Sequence, residues 1–396
     1  MSVTRKRSCL GVWIATIGVS LLGASELHET APLFTRITEP VSIPAEVTGH
    51  GIFVSVMING QGPFRMMIDT GCTCTMISPE VAAAVEARGS DTEDGNVQAV
   101  NGLGDAISMP RVLLDTISLG GVQFEGVIAG VVPLEVQSRI DSRELDGLLG
   151  YTLLSDLFFA LDYPNQKVVM SNAWPANLEP VRAELAITEK SDVPFVSVTV
   201  QGRDFEVMID TGATDRLHLP PASVASLTWK IAPRPGLLLA VAGEISREQI
   251  GRLSGELDVG RLRQLEPVVG ISDGEPSIGV GLLHSFCLVF DEADDRLRLC
   301  STDSGLVPSP GERSVGLSMI ADSAGWRVVA IIPNSPAEEA AIVNGDLVTK
   351  IEGKPARSWT RDQIQNWIEA HEFLALRLSG AAGERNVNLR VWSLVP

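Results

Sequence analysis

One run of alternating β-branched and apolar positions occurs twice along this chain, at residues 52–58 and 194–200, and the alternation predicts half-buried strands. A short polar turn follows each, Asn59-Gly60 or Gln201-Gly202, and then a second apolar run that ends in Asp69-Thr70-Gly71 or Asp210-Thr211-Gly212. Each copy therefore reads as a hairpin. Proline then opens a short helix, at Pro79 in one copy and at Pro220-Pro221 in the other. Both copies also end alike, with Leu148-Leu149-Gly150 or Ile278-Gly279, a leucine pair, and a strand at 158–162 or 287–291. Local order repeats along with the motif, so two mainly β lobes are expected, residues 45–173 and 181–301, joined by a proline-bearing linker at 174–180.

Turn formers crowd residues 301–311, and a different, smaller module is expected at 312–396. It contains apolar strands near 315–319 and 326–332, a helix start at Ser335-Pro336-Ala337 and a strand entry at Gly345-Asp346-Leu347-Val348. An amphipathic stretch at 360–370 places Ile364, Trp367 and Ile368 at helical spacing. At the other end, Arg5-Lys6-Arg7 precedes an apolar run over 9–22 and then Gly23-Ala24-Ser25, the order of a secretory signal over residues 1–25. Two fates stay open, cleavage near Ala24 with release outside the cytoplasm, or retention as an N-terminal membrane anchor. No later run is long and apolar enough to span a bilayer, so membrane contact is expected only if this segment is kept. In an oxidising compartment Cys287 and Cys300, which flank a predicted hairpin, are a candidate cross-strand disulfide.

Composition narrows the partners. A chain of 396 residues that is 45% apolar can bury more than one core, and its net charge of -18, with no basic run after residue 7, opposes nucleic acid as a partner. The acidity itself is a solubility feature and does not select a substrate.

One Asp at the end of an apolar strand would ordinarily start a turn. Two in equivalent places change the reading, because lobes related by a pseudo-twofold axis bring Asp69 and Asp210 face to face, where both cannot ionise cheaply. A shared proton lets one carboxylate act as base on a water while the other donates to a carbonyl oxygen. The Thr70 and Thr211 hydroxyls can bond across the lobe interface, and Gly71 and Gly212 let the backbone approach the carboxylates. With these motifs, residues 45–301 resemble the pepsin and retropepsin superfamily of aspartic peptidases. The doubled motif is similar to the pepsin arrangement, and the short lobes and Ala213 to the retropepsin-like branch. The resemblance implies two acid-protease-like β-barrel lobes, water held by Asp69 and Asp210 with catalytic support from Thr70, Gly71, Thr211 and Gly212, and a covering flap. The flap candidates are Gly102 and Gly104 in lobe 1 and Gly243 in lobe 2. Three departures stand out: Cys72 after the first motif, Ser277 before Ile278-Gly279, and flap candidates without tyrosine. Cys72 and Cys74 invite a reading as a metal or redox pair, but no histidine is near and the chain has only five, so packed thiols, no metal and no cofactor are expected.

The C-terminal module resembles a PDZ domain, an α+β fold. That resemblance implies a carboxylate-binding loop at Leu317, Ser318 and Met319, a groove helix at 360–370, and a C-terminal peptide as ligand, added as a strand. An intramolecular clamp is the alternative role for this module. Taken together, an exported aspartic-type endopeptidase acting on polypeptide substrates is expected, with the PDZ module recruiting substrate or regulating access. A catalytically silent peptide-binding or scaffolding protein is the alternative. A thiol- or metal-dependent enzyme stands third.

Overall fold

The computed structural model describes residues 20–21, 33–34, 37–89, 96–100, 106–174, 180–190, 192–214, 216–241, 244–301, 306–381 and 383–396. Apart from residues 20–21, the expected signal segment lies outside these, as do the flap candidates Gly102, Gly104 and Gly243 and residues 175–179 of the linker.

Each lobe is organised by its repeated hairpin. In lobe 1, Gly51–Ile58 pairs antiparallel with Gln61–Asp69; in lobe 2, Val193–Val200 pairs with Arg203–Ile209. Both turns need two consecutive residues at positive φ, supplied by Asn59 (48°) with Gly60 (75°) and by Gln201 (50°) with Gly202 (76°). That backbone matches the twist of paired strands. From the hairpins each lobe builds an 11-stranded sheet. In lobe 1 the sheet runs through the hairpin Ala106–Leu119 with Val122–Val131, and in lobe 2 through Trp229–Val241 with Glu244–Leu253.

A six-stranded sheet joins the lobes, in the order Val181–Ala186, Arg296–Cys300, Cys287–Asp291, Phe158–Asp162, Lys167–Ser171, Val41–Pro44. Lobe 2 supplies three strands and lobe 1 two, the sixth, Val41–Pro44, comes from just before lobe 1, and the seam is Phe158–Asp162 against Cys287–Asp291. Phe159 lies opposite Phe290, their rings stacked with centroids 4.5 Å apart, and Tyr151 meets both rings edge-on. One hydrophobic core continues through both lobes, so they cannot separate without exposing it.

Cys287 and Cys300, the candidate disulfide pair, are direct partners across their hairpin and both are buried. The main-chain ladder already joins these strands, and the sulfurs pack with Ala160, Val169 and Val289 as small apolar groups.

The C-terminal domain has its own core around Trp326, whose indole N–H donates to the Ala356 carbonyl at 3.1 Å. Its main sheet runs Leu317–Asp322, Gly325–Ile331, Leu347–Ile351, Phe373–Gly380, Gly383–Arg390. Helix Arg361–Ala370 starts at a reciprocal Thr360–Gln363 cap. Ile364 and Ile368 face the core, whereas Trp367 is half-buried and stacks on His371. Leu317, Ser318 and Met319 are not a loop as expected; they are the first residues of the edge strand. The turn is one step earlier, at Gly316 (φ 85°), whose carbonyl accepts from Ile332 N and Ser335 Oγ, and where a side chain would collide with Ser335. No helix among the described residues is long and apolar enough to cross a membrane.

Candidate active site

Asp69 is the last residue of its strand, and Asp210 directly follows Ile209, the last residue of the equivalent strand in lobe 2. Beyond each Asp the chain turns away and returns as a short strand, Thr75–Ile77 or Leu217–Leu219. The closing element of each lobe threads between outgoing and returning strands. Gly147–Gly150 pairs parallel with Gln61–Asp69 and antiparallel with Thr75–Ile77, and Ser277–Ile278 does the same in lobe 2. Gly150 is obligatory, since a Cβ there would lie 2.4 Å from the Cys74 carbonyl carbon. Ser277 does not disturb the pattern because its main chain makes the pairing. Its hydroxyl is buried and unpartnered among the described residues.

The two motifs are wired across the interface. Thr70 N donates to Thr211 Oγ1 at 3.0 Å and Thr211 N to Thr70 Oγ1 at 3.1 Å. Each hydroxyl then donates to the opposite lobe, Thr70 Oγ1 to Ile209 O at 2.5 Å and Thr211 Oγ1 to Ile68 O at 2.8 Å. Threonine suits this place because one hydroxyl both donates and accepts. Thr211→Val would strand the buried Thr70 N–H and Ile68 carbonyl, at about 1–3 kcal/mol for each unsatisfied group. The expected result is a urea midpoint lowered by an amount equivalent to roughly 2–6 kcal/mol, with Thr211→Ser close to the parent.

Each glycine packs against the other lobe's carboxylate. A Cβ on Gly71 would lie 2.6 Å from Asp210 Cγ, and one on Gly212 would lie 2.6 Å from Asp69 Cγ. The inner oxygens are held by main-chain donors: Asp69 Oδ1 accepts from Gly71 N at 3.0 Å, and Asp210 Oδ1 from Gly212 N at 2.9 Å and Ala213 N at 3.0 Å. The outer oxygens, Asp69 Oδ2 and Asp210 Oδ2, are buried with no hydrogen-bond partner among the described residues. Both carboxyls are fully buried. Burial raises the pKa of each; for Asp69 the result is about 7, after the lowering effect of the Gly71 N–H, Asp210 and the Cys72 N–H. Asp210 is raised well above the ordinary carboxylate range by burial and then by the charge of Asp69. One proton therefore stays with the pair.

The Cys72 thiol has a main-chain partner within its own loop. Its Sγ lies 3.0 Å from the Cys74 carbonyl, within a buried cluster of Phe53, Met67, Met76 and Leu148. The flap candidates fall between described strands. Asn96–Val100 pairs with Ala106–Leu119 up to Val100 opposite Ala106, and Val241 lies opposite Glu244 in lobe 2. Sequence reasoning missed the helix Glu135–Asp141 and its contacts with the C-terminal domain, described below. Its polar surface carries no periodic signal that marks a contact with a segment so distant in the chain.

Two parts of the chain match known families. Residues 54–153 match the aspartyl protease family and residues 327–376 match the PDZ domain family. The first match covers most of lobe 1; lobe 2 is tied to it by the repeated motif. No curated protein matches the chain.

Proposed function

From a chain that carries an aspartyl protease domain and a C-terminal PDZ domain, we propose an endopeptidase that acts outside the cytoplasm and hydrolyses peptide bonds with water activated by Asp69 and Asp210. The observation that carries the reading is the reciprocal packing of each motif on the other, with each motif's glycine set against the other lobe's carboxylate. The basic-then-apolar start of the chain supports export.

In the proposed reaction Asp69 takes a proton from water as the oxygen bonds to the scissile carbonyl carbon, and Asp210 gives its proton to the carbonyl oxygen. The C–N bond of the tetrahedral intermediate then breaks. The amine leaves with the proton held by Asp69, and Asp210 recovers one from the intermediate's hydroxyl, which restores the pair. The main-chain donors on the inner oxygens hold each carboxylate in place without competing for the outer ones. The PDZ module supports a second contact, with the C-terminus of a polypeptide.

The base must be ionised and the acid protonated. With Asp69 near 7 and Asp210 also raised well above the ordinary carboxylate range, kcat/KM should rise with pH along an acid limb well above that range. A pH series on one fluorogenic peptide tests this. An optimum in strong acid with loss of activity toward neutrality would contradict the assignment.

A further inference from the structure

Among the described residues the edge strand of the PDZ domain, Leu317–Asp322, has a paired neighbour on one side only, Gly325–Ile331. On its other side the carbonyls of Met319 and Ala321, two residues apart and so open on the same edge, are both taken by guanidinium groups. Arg361 Nη1 donates to Met319 O at 3.1 Å, and Arg139 Nε donates to Ala321 O at 2.8 Å. Arg361 begins the groove helix, whereas Arg139 belongs to the lobe 1 helix Glu135–Asp141. Three further contacts surround them. Arg361 N donates to Ser142 Oγ at 3.0 Å, Gly49 N donates to Asp362 Oδ1 at 3.3 Å, and Arg143 pairs with Asp362 at 3.5 Å. Leu317, Ser318, Met319 and Ile320 are each more than nine-tenths buried, although they lie in an edge strand.

An extended peptide joins a PDZ domain as a strand on such an edge, beside the groove helix. An incoming strand would need the space along this edge that the Arg139 guanidinium fills. Resting on the reading of this module as a peptide binder, we propose that helix Glu135–Asp141, with Ser142 and Arg143, is a latch in cis that keeps the groove shut, and that a polypeptide C-terminus enters by displacing Arg139. The latch also reaches the dyad. Leu134 and Leu145, on either side of it, pack in one buried cluster with Phe53, Met67, Leu148 and Cys72, the residue that follows Asp69-Thr70-Gly71. Asp141 is tied by its ion pair (2.8 Å) to Arg65 on the strand that ends at Asp69. Groove occupancy and dyad geometry are therefore coupled through a packed helix with two positions, docked and released.

The test uses the full chain and a variant altered only in lobe 1, Arg139→Ala/Ser142→Gly/Arg143→Ala, which leaves every PDZ residue intact. Ser142 has φ 61°, a conformation glycine adopts freely. Binding is measured with short fluorescein-labelled peptides ending in a free Val, Leu, Ala or Phe carboxylate. Exchange of the Met319 and Ala321 amides with deuterium is followed in parallel, and circular dichroism checks the fold. The variant should bind about tenfold more tightly, the factor for a groove open about a tenth of the time in the parent, and its edge amides should exchange faster. Equal affinity, no binding by either protein, or unchanged exchange overturns the latch. Cleavage is read separately: a variant that binds tightly and exchanges faster but, like the parent, cuts nothing leaves the latch standing and removes the peptidase reading.

Discussion

Asp69→Asn and Asp210→Asn should each lower kcat/KM by about a thousandfold or more while leaving the protein as stable as the parent or more so at neutral pH. The activity loss follows from roles that an amide cannot fill, since Asn neither takes a proton from water nor donates one to a carbonyl oxygen as an acid does. The stability gain follows from the same burial. Both carboxyls have a folded-state pKa above the unfolded value, so the folded state binds more protons than the unfolded one between those values. Stability of the parent therefore falls as pH rises from the ordinary carboxylate range through about 7, where Asp69 would release its proton, by a few kcal/mol. A neutral Asn removes that penalty and keeps an acceptor for the Gly71 or Gly212 N–H. Urea unfolding across pH should show the parent's decline and a flatter profile in either variant. A variant that unfolds more easily at neutral pH would indicate that the two carboxyls are not a strained, proton-sharing pair.

Gly212→Ala should be nearly as damaging, although it touches no reacting atom. The added methyl would sit 2.6 Å from both Cγ and Oδ2 of Asp69, well inside contact distance. Asp69 cannot swing aside without losing its bond from Gly71 N, and the Gly212 loop is tied to lobe 1 through the threonine pair. Overpacking of this kind costs about 1–3 kcal/mol in stability. Displacing a reacting group by about 1 Å costs on the order of a hundredfold in rate. Gly71→Ala should behave alike through Asp210, and Gly89→Ala, with open space around it, should leave both readouts within about 0.5 kcal/mol of the parent. Steady-state kinetics with thermal unfolding on all three separates the close-approach effect from a general cost of losing glycine.

The parts legible in the sequence are those with a short-range signature. Period-two runs and the Asn59-Gly60 and Gln201-Gly202 turns point to the hairpins, and repetition of the motif points to a pair of facing lobes. The threonine and glycine contacts follow from asking what a shared interface requires of a hydroxyl and of a missing side chain. Other features depend on where the surrounding structure directs a side chain. Cys72 sits beside Asp69 in sequence, yet its thiol turns to Cys74 O because the loop buries it among Phe53, Met67 and Leu148. Ser277 departs from the apolar pattern without consequence for the strand, since its main chain does the pairing. The PDZ turn falls at Gly316, where Ser335 leaves no room for a side chain, so Leu317, Ser318 and Met319 are strand residues. The docking of Glu135–Asp141 on the PDZ edge pairs Arg139 with a carbonyl 182 positions away, and nothing local in either segment encodes that meeting.

The central claim is that two facing carboxylates activate water to cut peptide bonds. Its most direct test is to incubate the chain with a diverse peptide mixture from acidic to neutral pH, with a chelator and a thiol-alkylating reagent present, and to map new termini by mass spectrometry beside Asp210→Asn. Cuts that survive both reagents and vanish in the variant are the predicted result. Cuts that persist in Asp210→Asn, or none from folded parent and latch-released protein alike, would contradict it and favour a protein that holds peptides without cleaving them.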